Sequence, residues 1–222
     1  MTRFIVVRHG YSTTNKSKTF ASHTDAPLTE QGKKQAECVA AYLAQTEKVD
    51  HIYCSGLTRT RQTAMPSAAR FGLPVQVEKG LIEIFAGLWE NLSYKEINTR
   101  YHEDWMIWLH DISHARPTGG ESMREHYLRV ERTVHRLAAE HEGQTLLLFT
   151  HYTPVRVMNA MAAGLSPEQI GSAKLPLNAS VNVYRYENGK LFAEEQNRIT
   201  YPLSLSVSKR FPPPPQMPRT EE

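Results

Sequence analysis

The sequence predicts an α/β domain whose strands are mostly parallel and whose sheet is closed by an antiparallel hairpin. Two apolar runs, Phe4-Ile5-Val6-Val7 and Thr145-Leu146-Leu147-Leu148-Phe149, lie far apart and lack polar alternation, as strands buried on both faces do. Stretches of helical periodicity separate the strand-like segments, the arrangement of crossover connections between parallel strands. Near the end, Asn188-Gly189 stands between two further strand-like segments and marks a two-residue hairpin turn.

Composition narrows the class. The 222 residues suit one well-filled domain, and 40% hydrophobic with 22% charged residues is the balance of an ordinary soluble protein. A net charge of +3, with no Lys/Arg block, argues against nucleic acid as a partner. No run approaches the ~20 apolar residues of a membrane span, and with a strand read at the very start no signal peptide is expected. A cytoplasmic protein without membrane contact is expected. Cys38 and Cys54 show neither CxxC nor zinc spacing and are expected as reduced thiols.

Each element has a local reason. The first apolar run ends abruptly in Arg8-His9-Gly10, and the polar stretch from Tyr11 to Pro27 is a loop with a helical turn near Ser12 to Asn15. Thr29 caps a helix whose buried face is Ala36, Val39, Ala40 and Leu43. Val49 to Ser55 is a second strand. Leu57 to Phe71 reads as a helix stopped by Gly72, with Pro66 expected to kink or break it. Val75 to Val77 is a third strand. Ser93-x-x-Glu96 and Ser122-x-x-Glu125 are capping boxes. The first opens a helix carrying Tyr94, Ile97, Tyr101, Trp105 and Trp108; the second opens one with Tyr127, Val130, Val134, Leu137 and Ala138 on its apolar face. The strand at Thr145 to Phe149 ends in Thr150-His151, after which Thr153 and Pro154 suit the cap and first position of another helix. Phe211-Pro212-Pro213-Pro214-Pro215, with Gln216-Met217-Pro218 after it, cannot join a core and reads as polyproline II or disordered.

Two distant strands thus each end in histidine, His9 and His151. Between them lies Ser55-x3-Arg59-x2-Gln62-Thr63-Ala64 at a strand-to-helix junction, where free backbone N–H groups favour an anion. Leu81-x-Glu83-x3-Gly87-x-Trp89-Glu90 adds a carboxylate among apolar residues. Two arginines, two histidines and a partly desolvated acid are the parts of a phosphoryl-transfer site that works without metal.

With these motifs the chain resembles the histidine phosphatase superfamily, the phosphoglycerate-mutase-like proteins. The matching residues are Arg8-His9-Gly10 with Asn15; Asp25-x2-Leu28-Thr29-x2-Gly32-x2-Gln35-Ala36; Ser55 to Ala64; Glu83 with Gly87 and Trp89-Glu90; Gly119-Gly120-Glu121-Ser122; and His151. They stand in the family's order over about residues 4 to 200.

The resemblance implies a three-layer α/β/α sandwich over residues 1–205, with 92–118 as a substrate-covering insertion and 206–222 as a proline-rich tail. It implies a phosphomonoesterase acting on a small phosphorylated metabolite, without metal or cofactor. His9 would be the nucleophile that forms a phosphohistidine, and Arg8 and Arg59 would clamp the phosphoryl oxygens. His151 would donate to the same oxygens, and Asn15 would add its side-chain amide. Glu83 would protonate the leaving alkoxide and then activate water, helped by water exclusion from Ile82, Ile84 and Phe85. Those roles need His9 unprotonated and Glu83 protonated, which predicts a bell-shaped pH profile with its optimum below or near neutrality.

Some positions depart from the family pattern. Tyr11 stands where Glu or Gln is common, Tyr152 where glycine is typical, and Asn91 replaces a frequent glycine. Tyr11 and Tyr152 are expected close to the phosphate, where they would narrow or re-aim the leaving-group pocket. His110 and His114 have metal-ligating spacing but no third ligand in register. A cofactor-dependent phosphoglycerate mutase and a non-catalytic scaffold on the same fold are the alternative readings. A second copy of this chain, contacted through the tail, is the macromolecular partner left open.

Overall fold

The computed structural model of the chain describes residues 1–206. The first apolar run forms β1 (Thr2–Arg8), in which Phe4, Ile5, Val6 and Val7 are fully buried. After it in the chain come β2 (His51–Cys54), β3 (Val75–Val77), β4 (Thr145–Thr150), β5 (Val181–Glu187) and β6 (Lys190–Arg198). These strands make a six-stranded sheet in the order β3-β2-β4-β1-β5-β6. The β2–β3, β2–β4 and β1–β4 pairs are parallel, while β5 runs antiparallel to β1 and β6 antiparallel to β5. Asn188 and Gly189, at φ 51 and 76°, are left-handed, as the tight turn between the last two strands requires.

The pleat sends alternate β1 side chains to opposite faces, and helices cover both. Ile5 and Val7 pack with Val39 and Leu43 of α2 (Glu30–Thr46) and with Ala64 and Ala68 of α3 (Thr58–Phe71). Phe4 and Val6 pack on the other side with Val130, Val134 and Leu137 of α6 (Met123–Glu140), and with Val155 and Met158 of α7 (Tyr152–Ala162). Burying one such aliphatic side chain contributes roughly 1.5–3 kcal/mol. The result is the three-layer arrangement that the resemblance implied. Three shorter helices complete the set among the described residues, α1 (Thr13–Ser17), α4 (Tyr94–Arg100) and α5 (His102–His110). No helix among the described residues is long and apolar enough to cross a membrane. Cys38 and Cys54 are free thiols.

Local details correct three expectations. Pro66 lies inside α3 without ending it, because Arg59, Thr60, Thr63 and Ala64 before it and Ser67 and Ala68 after it are all buried on one continuous face. The helix expected from Tyr94 through Trp108 is two, since Tyr101 leaves helical geometry at φ −136°, ψ 47°. That break lets Trp105 and Trp108 turn inward onto Trp89, at ring separations of 5.7 and 6.0 Å. Finally, α7 starts at Tyr152 with His151 as its N-cap, so Thr153 lies inside the first turn rather than capping it. The expectation for the proline-rich tail lies outside the described residues.

Candidate active site

The register of the parallel strands assembles the site. Arg8 pairs with Thr150 and Cys54 with Phe149, so His9, His151 and Ser55 leave three neighbouring strands at the same edge of the sheet. This is the carboxyl edge, where open α/β sheets bind ligands. The rings of His9 and His151 meet edge to face, with centroids 5.3 Å apart.

His9 is 4% exposed. Its Nδ1 lies 2.7 Å from the Gly10 carbonyl, which can only accept, so Nδ1 carries the proton and Nε2 keeps its lone pair. Burial, then the charges of Arg59 and Arg8, push the His9 pKa well below its ordinary value. The ring is therefore neutral near pH 7. Gly10 is required by a close approach: a Cβ there would sit 2.6 Å from the Gly32 carbonyl at the start of α2.

The two arginines are held differently. Arg8 donates from Nη1 to the Pro176 carbonyl at 3.0 Å and lies over the Tyr152 ring, 5.0 Å from its centroid. Its Nε is buried with no hydrogen-bond partner among the described residues. An orphaned buried guanidinium N–H is costly, and an anionic ligand would satisfy it. Arg59 is 1% exposed and packed into the chain itself. It donates from Nη1 to Thr24 O (2.9 Å), from Nη2 to Ser22 O (2.6 Å) and Ala21 O (3.4 Å), and from Nε to His151 Nδ1 (3.3 Å). The loop supplying those carbonyls is pinned by Glu90, whose carboxylate accepts from His23 N at 2.8 Å, Thr24 N at 3.1 Å and Thr24 Oγ1 at 2.5 Å.

Accepting from Arg59 at Nδ1 leaves His151 with its proton on Nε2, which donates to Ser55 Oγ at 2.6 Å. Burial, together with Arg59, His9 and Arg8, keeps its pKa well below the ordinary value. His151, expected to donate to the phosphoryl oxygens, does not line the cleft; its ring packs on His9 and its Nδ1 is taken by Arg59.

Glu83 reaches the site from the segment that follows β3. One carboxylate oxygen accepts from Thr153 N (3.2 Å), Ile84 N (3.0 Å) and the Thr153 hydroxyl, the other from Tyr152 N (3.1 Å). The acid thus sits on the N-terminal turn of α7, whose free N–H groups fix both carboxylate oxygens. Of the three residues expected to keep water away, Ile84 is buried and Ile82 half-buried, but Phe85 is exposed and packs on His23.

These groups face a cleft of about 590 Å³ including its open mouth. Arg8, His9, Arg59, Glu83, Asn15 and Tyr152 line it, with Phe20, Tyr94 and Trp108 among the apolar residues and Ser12, Thr14 and Thr19 among the polar ones. Tyr94 and Trp108 come from the segment expected as the substrate cover. Tyr11 does not line the cleft, contrary to expectation. Its backbone is tied to α2, accepting from Thr29 N at 2.9 Å and donating to Gln35 Oε1 at 2.8 Å. His110 and His114 do not converge on a metal-binding group among the described residues, and His114 Nδ1 instead pairs with Asp111 at 2.8 Å.

Several contributing residues escaped the sequence reading. Asn178 Nδ2 donates to the His9 carbonyl (3.2 Å) and to Asn15 Oδ1 (3.1 Å), which leaves the Asn15 amide nitrogen available to the cleft. Ser22 Oγ accepts from Ala86 N at 3.1 Å and donates to Ile84 O, tying the loop around Arg59 to the one carrying Glu83. The antiparallel pairing of β5 with β1, and no local pattern, brings it to His9.

Comparison with known proteins extends the likeness over nearly the whole described chain. Phosphoserine phosphatase 1 of Hydrogenobacter thermophilus is 33% identical over 187 residues, covering 84% of this chain and 88% of that protein. Adenosylcobalamin/alpha-ribazole phosphatase of Escherichia coli is 31% identical over 166 residues, covering 75% and 81%. The crystal structure of a putative alpha-ribazole-5'-P phosphatase from Escherichia coli superposes with a TM-score of 0.81 at 26% identity, covering 90% of this chain and 97% of that one. The family model of the histidine phosphatase superfamily (branch 1) matches residues 4–199, a span that holds every group lining the cleft, and the chain belongs to that superfamily.

Proposed function

We propose that the protein is a metal-independent phosphomonoesterase that hydrolyses a small phosphorylated metabolite through a phosphohistidine on His9. The observation that carries this reading is the pairing of a neutral His9, its Nε2 lone pair free, with the unpartnered buried Nε–H of Arg8 in one cleft. On this reading His9 supplies the nucleophile and Arg8 the unsatisfied oxyanion donor. Phosphatases of small metabolites among the relatives support the substrate class.

In the first step His9 Nε2 attacks phosphorus and the ester P–O bond breaks. Glu83, having taken up a proton, passes it to the departing alkoxide. Arg8 and Arg59 hold the phosphoryl oxygens, and the Asn15 amide adds a donor. His151, accepting from Arg59 Nε and donating to Ser55 Oγ, orients the Arg59 guanidinium at the phosphoryl group. In the second step Glu83 takes a proton from water, the oxygen attacks phosphorus, the P–N bond breaks and inorganic phosphate leaves.

The test is phosphate release in EDTA from an aryl phosphate and from a panel of sugar phosphates, a nucleoside phosphate, phosphoserine and 3-phosphoglycerate. Wild type is expected to release phosphate and His9→Ala to release none above background. Equal release by both would overturn the reading. Conversion of 3-phosphoglycerate to its isomer without release would replace it with the mutase.

A further inference from the structure

Glu83 stands on an irregular loop between short 3₁₀ turns at Lys79–Leu81 and Gly87–Trp89. Proton transfer nevertheless needs its carboxylate held within hydrogen-bond reach of the leaving oxygen. The loop is fixed from behind by Arg129 of α6. Its Nη1 donates to the carbonyls of Gly80 (2.8 Å) and Ile82 (3.1 Å), and its Nη2 reaches the carbonyl of Glu83 itself (3.4 Å).

The same guanidinium is gripped by Glu121, which immediately precedes the Ser122 cap of α6. Arg129 Nε donates to Oε1 at 2.9 Å and Nη2 to Oε2 at 2.8 Å. Glu121 also holds the far side of the loop: its N donates to Phe85 O at 2.9 Å and its Oε2 accepts from Phe85 N at 3.3 Å. Backbone groups of residues 80, 82, 83 and 85 are therefore all tied to one ion pair. His126, fully buried, accepts from Arg129 Nη2 at 2.7 Å and closes the cluster. Gly80 lies so near α6 that a Cβ would collide with Thr133, so the loop is seated directly on the helix.

We propose that the Glu121–Arg129 pair is the positioning frame for the Glu83 carboxylate. It contacts no substrate, since neither residue lines the cleft. Arginine is needed because its planar fork spans the carboxylate and three carbonyls at once, which a lysine ammonium cannot do. This inference rests on Glu83 being the proton donor.

A readout specific to proton donation separates positioning from simple support of the fold. An alkoxide leaving group needs the proton, whereas p-nitrophenolate leaves largely without it. The measurement is kcat/KM for an alkyl phosphate and for p-nitrophenyl phosphate, taken as a ratio so that loss of folded protein cancels. Arg129→Gln and Arg129→Lys are expected to lower the alkyl-to-aryl ratio by roughly 10- to 100-fold, in the direction of Glu83→Gln and short of it. Combined with Glu83→Gln, Arg129→Gln is expected to change the ratio by less than about threefold. If Arg129→Gln does not fold, Arg129→Lys and Glu121→Gln carry the test. An unchanged ratio in these variants, with Glu83→Gln lowering it, would overturn the positioning role alone. An unchanged ratio in Glu83→Gln would overturn the acid role and this inference with it.

Discussion

At the scale of single residues the chemistry depends on charge state. Burial and two guanidinium groups keep His9 unprotonated, so the acid side of the pH profile carries no limb from His9 near the ordinary histidine value of about 6.5. We expect kcat/KM for an aryl phosphate to hold from pH 8 down through 6; a fall centred near 6.5 would contradict the burial argument. Arg8→Lys keeps the charge but loses the orphaned Nε–H edge, and is expected to cost ~10²-fold or more in kcat/KM. Arg8, His9, Arg59, Glu83 and His151 were legible in the sequence because each follows a strand end or sits in a spaced motif. Asn178 was not, since its contacts with His9 and Asn15 join opposite ends of the chain. Tyr11 was misplaced for a related reason: the Gly10–Gly32 approach turns the backbone towards α2, which the sequence does not reveal.

At the scale of elements, the start of α7 does more than begin a helix. Because the cap position falls to His151, the Thr153 hydroxyl is free to donate to Glu83. Thr153→Val should fold and lose about tenfold in alkyl phosphate turnover, the cost of one hydrogen bond to a charged group; an unchanged rate would remove the hydroxyl from any role in proton transfer. The α4–α5 break has an energetic test. Trp108 is 5% exposed and packs on Phe20 and Trp89 as well as facing the cleft, so Trp108→Ala is expected to cost ~3–5 kcal/mol in denaturant unfolding. A loss under about 1 kcal/mol would mean that the segment is a loose cover rather than part of the core. Capping boxes at Ser93 and Ser122 announced their helices because capping is local. The passage of α3 through Pro66 and the break at Tyr101 are set by packing on both sides, and local pattern could not foretell them.

At the scale of the molecule, the sheet order turns three separate sequence segments into one site, and the same burial links fold to pH. His9, His126 and His151 are all pushed below their ordinary pKa, chiefly by burial. Above pH ~6.5 folded and unfolded chains both hold these histidines neutral and the native state has its full stability. As pH falls below that value the unfolded chain takes up protons that the native state refuses, at a cost of at most about 1.4 kcal/mol per pH unit for each histidine. Thermal unfolding between pH 7.5 and 5.5 should show Tm falling, and saturating orthophosphate should offset part of the fall by binding the native state alone. A Tm that is flat over this range would contradict the depressed values. The parallel core and the closing hairpin were readable from apolar runs and Asn188-Gly189, whereas the strand order had to come from the structure.

The central claim is a covalent bond from phosphorus to His9. The direct measurement is rapid quenching of wild type and His9→Ala with an aryl phosphate in EDTA, followed by alkaline digestion and peptide mass spectrometry. The expected result is one acid-labile, alkali-stable phosphoryl group on the peptide containing His9, absent from the variant and accumulating in Glu83→Gln. Turnover by wild type with no such adduct, or with the phosphoryl group on another residue, would contradict it.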